Sequence, residues 1–180
     1  ERDESTGEMG LSDGPIAVSN AYQAGSVFKL VTVAAAVESG QVTPQTPIQV
    51  PWRLQVDDRM FSDHEEHPTQ SMTVTQILAE SSNVGTIKIA QGLGKKGLYD
   101  ALVGFGFGTP TGIGHPAESS GQLPPLDHWT NPDLAGSAIG THQSATALQL
   151  WAAYNVIAND GQYVQPRLVD SVIAADGTRT

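Results

Sequence analysis

Hydrophobic and polar positions divide the chain into clear stretches. Residues 1–14 are polar, charged and rich in Gly and Ser, and predict a lead-in without an element of its own. Ile16-Ala17-Val18 is a short apolar patch. Leu30, Val31, Val33, Ala34, Ala35, Ala36 and Val37 then form a run that is apolar almost without interruption. This predicts a helix over about 26–38 that is apolar on all sides and therefore buried. Gly40 stands at its C-terminal cap, with Pro44 and Pro47 beyond.

Residues 41–70 alternate in short pieces (Ile48-Gln49-Val50, Leu54-Gln55-Val56, Met60-Phe61) that read as short strands or turns. Thr73-Val74-Thr75-Gln76 fits a capping box and predicts a helix through Ile77, Leu78 and Ala79. Ser81-Ser82-Asn83 breaks the helical pattern, which resumes through Val84, Ile87, Ile89 and Ala90. A further helix follows Gly94 through Leu98, Leu102 and Val103. The Gly-rich run 104–114 and the Pro-rich run 115–133 predict loops, with His115 and His128 at the surface. Thr146-Ala147-Leu148-Gln149 is a second capping box. It opens an amphipathic helix of Leu148, Trp151, Ala152, Tyr154, Val156 and Ile157 that ends at Asn159-Asp160-Gly161. Residues 168–174 predict a strand, and Asp176-Gly177 a hairpin turn.

Composition narrows the function. A length of 180 residues suits one domain. A net charge of −10 argues against nucleic acid or an anionic membrane surface as partner. The absence of cysteine excludes disulfides, thiol nucleophiles and Cys-ligated zinc. No apolar run approaches the ~20 residues that span a bilayer. The chain begins Glu1-Arg2-Asp3-Glu4 and reads as an internal piece of something longer. Asp63-His64-Glu65-Glu66-His67 is not H-E-x-x-H and is closed by Pro68, so it reads as a solvated acidic loop with no metal. Gly112-Ile113-Gly114-His115-Pro116-Ala117 matches G-x-G-x-x-A. No strand is predicted before it and a proline lies inside it, which argues against a dinucleotide site. No cofactor is expected.

The candidate chemistry lies where the apolar helix begins. Ser26 and Lys29 are three residues apart, hence neighbours on one helical face. A lysine at the edge of a desolvated core has a lowered pKa and serves as a base. A serine beside such a base becomes a nucleophile, and free N–H groups of a first helical turn stabilise an oxyanion. A capping serine and a snorkelling lysine account for the same two residues without any chemistry.

At this point the residues resemble a known family. Ser26-Val27-Phe28-Lys29 and Ser81-Ser82-Asn83 match the first two motifs of penicillin-binding proteins. The flanks YQAGSVFKLVTVAAAVE (22–38), AESSNVGTIKIA (79–90), FGFG (105–108) and ALQLWAAYNVIANDG (147–161), with Pro166 after the last, resemble class B penicillin-binding proteins of actinobacterial type. The resemblance implies an α+β fold of the β-lactamase/D,D-peptidase-like transpeptidase kind. This segment would be mostly its helical part, with few strands. Residues 15–180 would be a partial transpeptidase domain behind a lead-in of residues 1–14.

The implied activity is peptidoglycan D,D-transpeptidation in cell-wall synthesis. Ser26 attacks the D-Ala-D-Ala carbonyl of a stem peptide, and Lys29 takes its proton. Ser81 passes a proton to the leaving amine, Asn83 holds Lys29 and the substrate amide, and Thr141 lines the pocket. Implied partners are stem peptides, β-lactam antibiotics and cell-wall glycosyltransferases. The implied location is the extracytoplasmic face of the membrane, with an N-terminal anchor outside this chain.

The sequence departs from the pattern in three places. No Lys-Thr-Gly or Lys-Ser-Gly occurs; Lys95-Lys96-Gly97 is nearest and sits on a predicted helix. In the family that motif lies on a strand past residue 180, and sheet strands precede residue 1, so the piece is expected to be poorly active and poorly folded by itself. Ala24 stands where the family usually has proline. Gly140-Thr141-His142 stands where Gly-x-Gly is common, which strains His142 if that position carries positive φ. Two other functions share these motifs: a β-lactam sensor or β-lactamase, for which Glu118 is the candidate acid in the Gly/Pro-rich loop, and a catalytically silent scaffold.

Overall fold

The computed structural model describes residues 14–179, so most of the expected lead-in, residues 1–13, lies outside the described residues. In chain order the elements are α1 (Ile16–Ser19), β1 (Ala21–Tyr22), a 3-10 turn (Gly25–Phe28), α2 (Lys29–Glu38), β2 (Pro47–Val50), β3 (Arg53–Val56), β4 (Arg59–Ser62), β5 (Gln70–Thr73), α3 (Val74–Ala79), α4 (Asn83–Gly104), a 3-10 turn (Leu126–His128), α5 (Asn131–Ala138), β6 (Ala145–Thr146) and α6 (Ala147–Ala158). The strands form three separate antiparallel pairs, β1 with β6, β2 with β5 and β3 with β4. This is the mostly helical α+β segment expected.

Helix α2 lies between two apolar clusters, which is why it has no polar face. Phe28 and Val31 pack with Ile87, Leu98, Leu102, Phe107 and Leu134 on one side. Val33 and Ala36 pack with Val50, Met72, Val74, Ile77 and Ile89 on the other. The helix stops in a Schellman arrangement: Gly40 N–H donates to Val37 O at 3.0 Å and Gln41 N–H to Ala36 O at 3.1 Å, with Gly40 at φ 74°. Both predicted capping boxes are formed, at Thr73/Gln76 for α3 and Thr146/Gln149 for α6. The predicted boundary at Gly94 is a kink inside α4, where φ is 70° and ψ 171°.

Four expectations are corrected. The stretch 115–133 is not wholly loop. Thr130 caps α5 through a third capping box with Asp133, and those hydrogen bonds hold the Asp133 carboxyl below its usual range. Residues 168–174 form no strand: among the described residues only the Ile173–Arg179 bridge pairs there, and a lone strand has no ladder to stabilise it. In α6 the buried face is Gln149, Leu150, Ala152 and Ala153, while Trp151, Tyr154 and Ile157 point outward. His142 is not strained, because the left-handed residue of its loop is Gly140, at φ 79°.

That glycine fixes the start of the candidate site. Gly25, itself at φ 57°, donates its N–H to Gly140 O at 3.1 Å, and a Cβ on Gly140 would lie 2.1 Å from the Gly25 carbonyl oxygen. Gly161 has a similar φ of 82° but open space around it. Gly161→Ala is therefore expected to cost only the left-handed penalty, about 1–2 kcal/mol. Gly140→Ala should cost on the order of 3 kcal/mol or more, lowering Tm by roughly 6 °C or more. Equal Tm losses in a thermal melt would show that the two backbones are not so closely apposed.

Candidate active site

The expected α-helical start at Ser26 is a 3-10 turn. Lys29 N–H donates to Ser26 O, closing that turn before the α-helix begins. With three residues per turn, side chains at i and i+3 eclipse, so Ser26 and Lys29 project from the same side more nearly in line than an α-helix allows. Ser26 is exposed and Lys29 is 1% exposed. The turn is held from three directions, by Gly140 O on Gly25 N–H, by the Tyr154 hydroxyl on Val27 O at 3.1 Å, and by Phe28 packed against Phe107 with ring centroids 4.7 Å apart and the rings tilted by 48°.

Lys29 does not bond Ser26. Its Nζ donates to Ser81 Oγ at 3.0 Å and to the Ser81 carbonyl. Among the described residues the Ser26 hydroxyl has no hydrogen-bond partner. Burial pushes the Lys29 ammonium from the usual 10.5 down to about 8, and the Asp63 carboxylate partly opposes the shift. The sequence motif thus supplies a buried, weakened ammonium that bridges to the second motif.

Ser81 reaches Lys29 because the chain turns sharply between α3 and α4. Its φ is 56°, a left-handed conformation that a serine adopts at some cost. Ser82 follows as N-cap of α4, its hydroxyl accepting from Gly85 N–H at 2.8 Å. A Cβ on Gly85 would meet Ile77 at 2.7 Å, so glycine lets α4 press against α3 there. Asn83 does not hold Lys29 as the resemblance implied; its side-chain amide donates to Ser62 O at 2.9 Å. Thr141 lies beside Gly140, exposed, with its N–H on Gly136 O at 2.8 Å.

Asp63, expected in a solvated loop, instead anchors the start of α4. Its Oδ1 accepts from Val84 N–H at 2.9 Å, and its Oδ2 accepts from the Ser82 hydroxyl at 2.8 Å. It anchors the N-terminus of α4 from the loop after β4, and its charge acts on Lys29. No local pattern flags this anchoring role, since Ser82 and Val84 lie about twenty residues further on. Among the described residues no cluster of three or more His, Cys, Asp or Glu side chains is placed to hold a metal ion. No described helix is long and apolar enough to cross a membrane.

Comparison with known proteins follows the same lines. Residues 3–180 match the family model described as penicillin-binding protein transpeptidase domain. The chain is 42% identical to the penicillin-binding protein PbpB of Mycolicibacterium smegmatis over 93% of its own length and 26% of that protein. It is 29% identical to the peptidoglycan D,D-transpeptidase FtsI of Escherichia coli over 81% of its length and 24% of that protein. Its fold superposes on the crystal structure of penicillin-binding protein 3 from Mycobacterium tuberculosis complexed with aztreonam with a TM-score of 0.88. That match has 41% identity and covers 93% of this chain and 37% of the other.

The lysine yields a direct test. Its folded pKa of about 8 lies below the unfolded 10.5, so the unfolded chain binds the proton more tightly. Lys29 therefore disfavours folding below about 8, and that cost is relieved as pH climbs from about 8 towards 10.5. NMR titration of isotopically labelled Lys29 is expected to give a midpoint near 8. A midpoint near 10.5 would mean that the amine is hydrated and the site is not desolvated.

Proposed function

The chain belongs to the penicillin-binding protein transpeptidase family, and from that premise we propose that it is the nucleophile-bearing part of a peptidoglycan D,D-transpeptidase. It spans about a quarter of the length of the curated relatives it matches, with 26% and 25% of the two PbpB proteins covered. The observation that carries the reading is the buried Lys29 amine, hydrogen-bonded to Ser81 Oγ at 3.0 Å and one 3-10 turn from an exposed serine hydroxyl that has no partner among the described residues.

Ser26 Oγ attacks the carbonyl carbon between two terminal D-alanines, and its proton passes to the neutral Lys29 amine. The oxygen of the tetrahedral species is stabilised by the Ser26 backbone N–H, which lies too early in its helical turn to have an intrahelical acceptor. The C–N bond then breaks. The departing D-alanine amine receives a proton from Ser81 Oγ, which Lys29 replenishes. An amine of a neighbouring stem peptide attacks the acyl-Ser26 ester, releasing Ser26 and forming the cross-link. A β-lactam acylates the same hydroxyl but keeps its amine tethered. Asn83, fixed by Ser62 O, and Thr141, on the loop tied to Gly25, border the path of the peptide. The reaction takes place on the extracytoplasmic side of the cell membrane.

A β-lactamase needs a carboxylate free to activate water. Glu118 is instead engaged by Thr111, accepting from its N–H at 2.6 Å and its hydroxyl at 2.5 Å, which favours a long-lived acyl-enzyme. These 180 residues contain no Lys-Thr-Gly or Lys-Ser-Gly string. Without a second oxyanion donor, acylation is expected to be slower by about 10²–10³ than in a chain carrying that motif.

Intact-protein mass after exposure to ampicillin is expected to rise by one drug molecule. The increment should be absent in Ser26→Ala, and its rate should fall by about 10²–10⁴ in Lys29→Ala. An adduct that persists in Ser26→Ala would place the nucleophile elsewhere. No adduct even in a longer chain that includes a Lys-Thr/Ser-Gly motif would favour a silent scaffold.

A further inference from the structure

The loop after β4 presents a histidine in an unusual setting. His67 Nδ1 lies 2.8 Å from the Pro68 carbonyl oxygen, and Nε2 lies 3.1 Å from Asp63 Oδ2. Both neighbours are acceptors only. A neutral imidazole has one N–H and can satisfy one of them; an imidazolium satisfies both. The side chains are largely covered, His67 being 19% exposed and Asp63 9%. The same Asp63 Oδ2 also accepts from Ser82, and Oδ1 accepts from Val84 N–H. An unbroken set of hydrogen bonds therefore runs from His67 through Asp63 to the turn that carries Ser81, which in turn bonds Lys29.

We propose that His67 is held as an imidazolium by these two acceptors and is a positioning residue, fixing the Asp63 carboxylate and tempering its field at Lys29. The part about Lys29 as a base rests on the function proposed above; the protonation and its electrostatic effect do not. The groups that face His67 are Asp63 and, more distantly, Glu80 at the end of α3, and both favour the charged ring. His64, Glu65 and Glu66 lie on the same loop and are exposed. The carbonyl of Pro68 and the Asp63 carboxylate raise the His67 pKa above 6.5. The stabilisation from this pair is therefore fully present below 6.5 and is lost as pH rises through the raised folded value.

The consequence for Lys29 has a definite sign. Asp63 raises the Lys29 pKa, and a positive charge on His67 offsets part of that influence. When His67 loses its proton, Lys29 becomes harder to deprotonate. The base is thus kept weak by a histidine that touches neither serine nor lysine.

The test is an NMR titration of the chain with labelled histidine and lysine, with no substrate required. The His67 midpoint is expected above 6.5 in the wild type and lower than the wild-type value in Asp63→Asn, where the Pro68 carbonyl still favours the charged ring. His67→Gln, which can still donate to Asp63 but carries no charge, is expected to raise the Lys29 midpoint by on the order of half a pH unit. Asp63→Asn is expected to lower it. A wild-type His67 midpoint at or below 6.5 overturns the proposal. So does a Lys29 midpoint unmoved in His67→Gln; if that variant does not fold, an unmoved midpoint in Asp63→Asn does the same. Ampicillin acylation measured alongside separates the two ideas. If Ser26 is not acylated even in a longer chain that includes a Lys-Thr/Ser-Gly motif, while both midpoints move as stated, the transpeptidase reading fails and this one stands.

Discussion

An ammonium taken out of water must be compensated where it lies, and in this chain that requirement falls on Lys29. Removing such a group from solvent costs several kcal/mol unless hydrogen bonds and opposite charge are supplied on the spot. Two apolar clusters flank α2, and the lysine emerges at its N-terminal end with 1% exposure. Its compensation comes from outside the helix. Ser81 contributes both a hydroxyl and a carbonyl, and Asp63 contributes a field. Burial outweighs that compensation, and the pKa falls to about 8. That fall is also the chemical asset, because an unstable ammonium is a usable base near neutral pH.

Much of the surrounding structure serves to place Ser81. A serine at φ 56° stays there only if its neighbours over-determine it. Ser82 caps α4, Asp63 clamps Ser82 and Val84, Asn83 ties the turn to Ser62, and Gly85 lets α4 close on Ile77. On the opposite side Gly140 performs the equivalent task for the Ser26 turn, where no side chain would fit. The two motifs are held for separate reasons, and the Lys29 side chain joins them.

The parts of this arrangement that were legible in sequence are those with local causes. Capping boxes at Thr73 and Thr146, the stop at Gly40, the kink at Gly94 and the break at Ser81–Asn83 all come from residues within four positions of one another. Helix α5 was equally readable, from Thr130 and Asp133 around Pro132, but a run of prolines disguised its start as loop. Asp63 and His67 were not legible, because an acid before a proline-closed loop looks solvated until the fold brings α4 against it. The outward face of α6 misled for a related reason. Bulky residues ordinarily mark the buried side, yet here Ala152 and Ala153 make the close approach and Trp151 and Tyr154 stay outside. The 3-10 geometry of Gly25–Phe28 was invisible too, since both helix types use the same spacing rule at i and i+3.

That geometry bears on the proposed reaction, in which one amine serves two serines. An ammonium has three donors, and two of them are occupied by the Ser81 hydroxyl and carbonyl. When a proton leaves, the amine can retain both of those hydrogen bonds and still present its lone pair in the third direction. The eclipsed side of the 3-10 turn is where Ser26 projects, and its hydroxyl has no competing acceptor among the described residues. The resting structure therefore holds the lysine on the Ser81 side and leaves the serine free. In the proposed reaction, deprotonation of Lys29 supplies the base for Ser26. The absence of a Ser26–Lys29 hydrogen bond fits the proposed reaction, because such bonds tighten only once the reacting groups are in place.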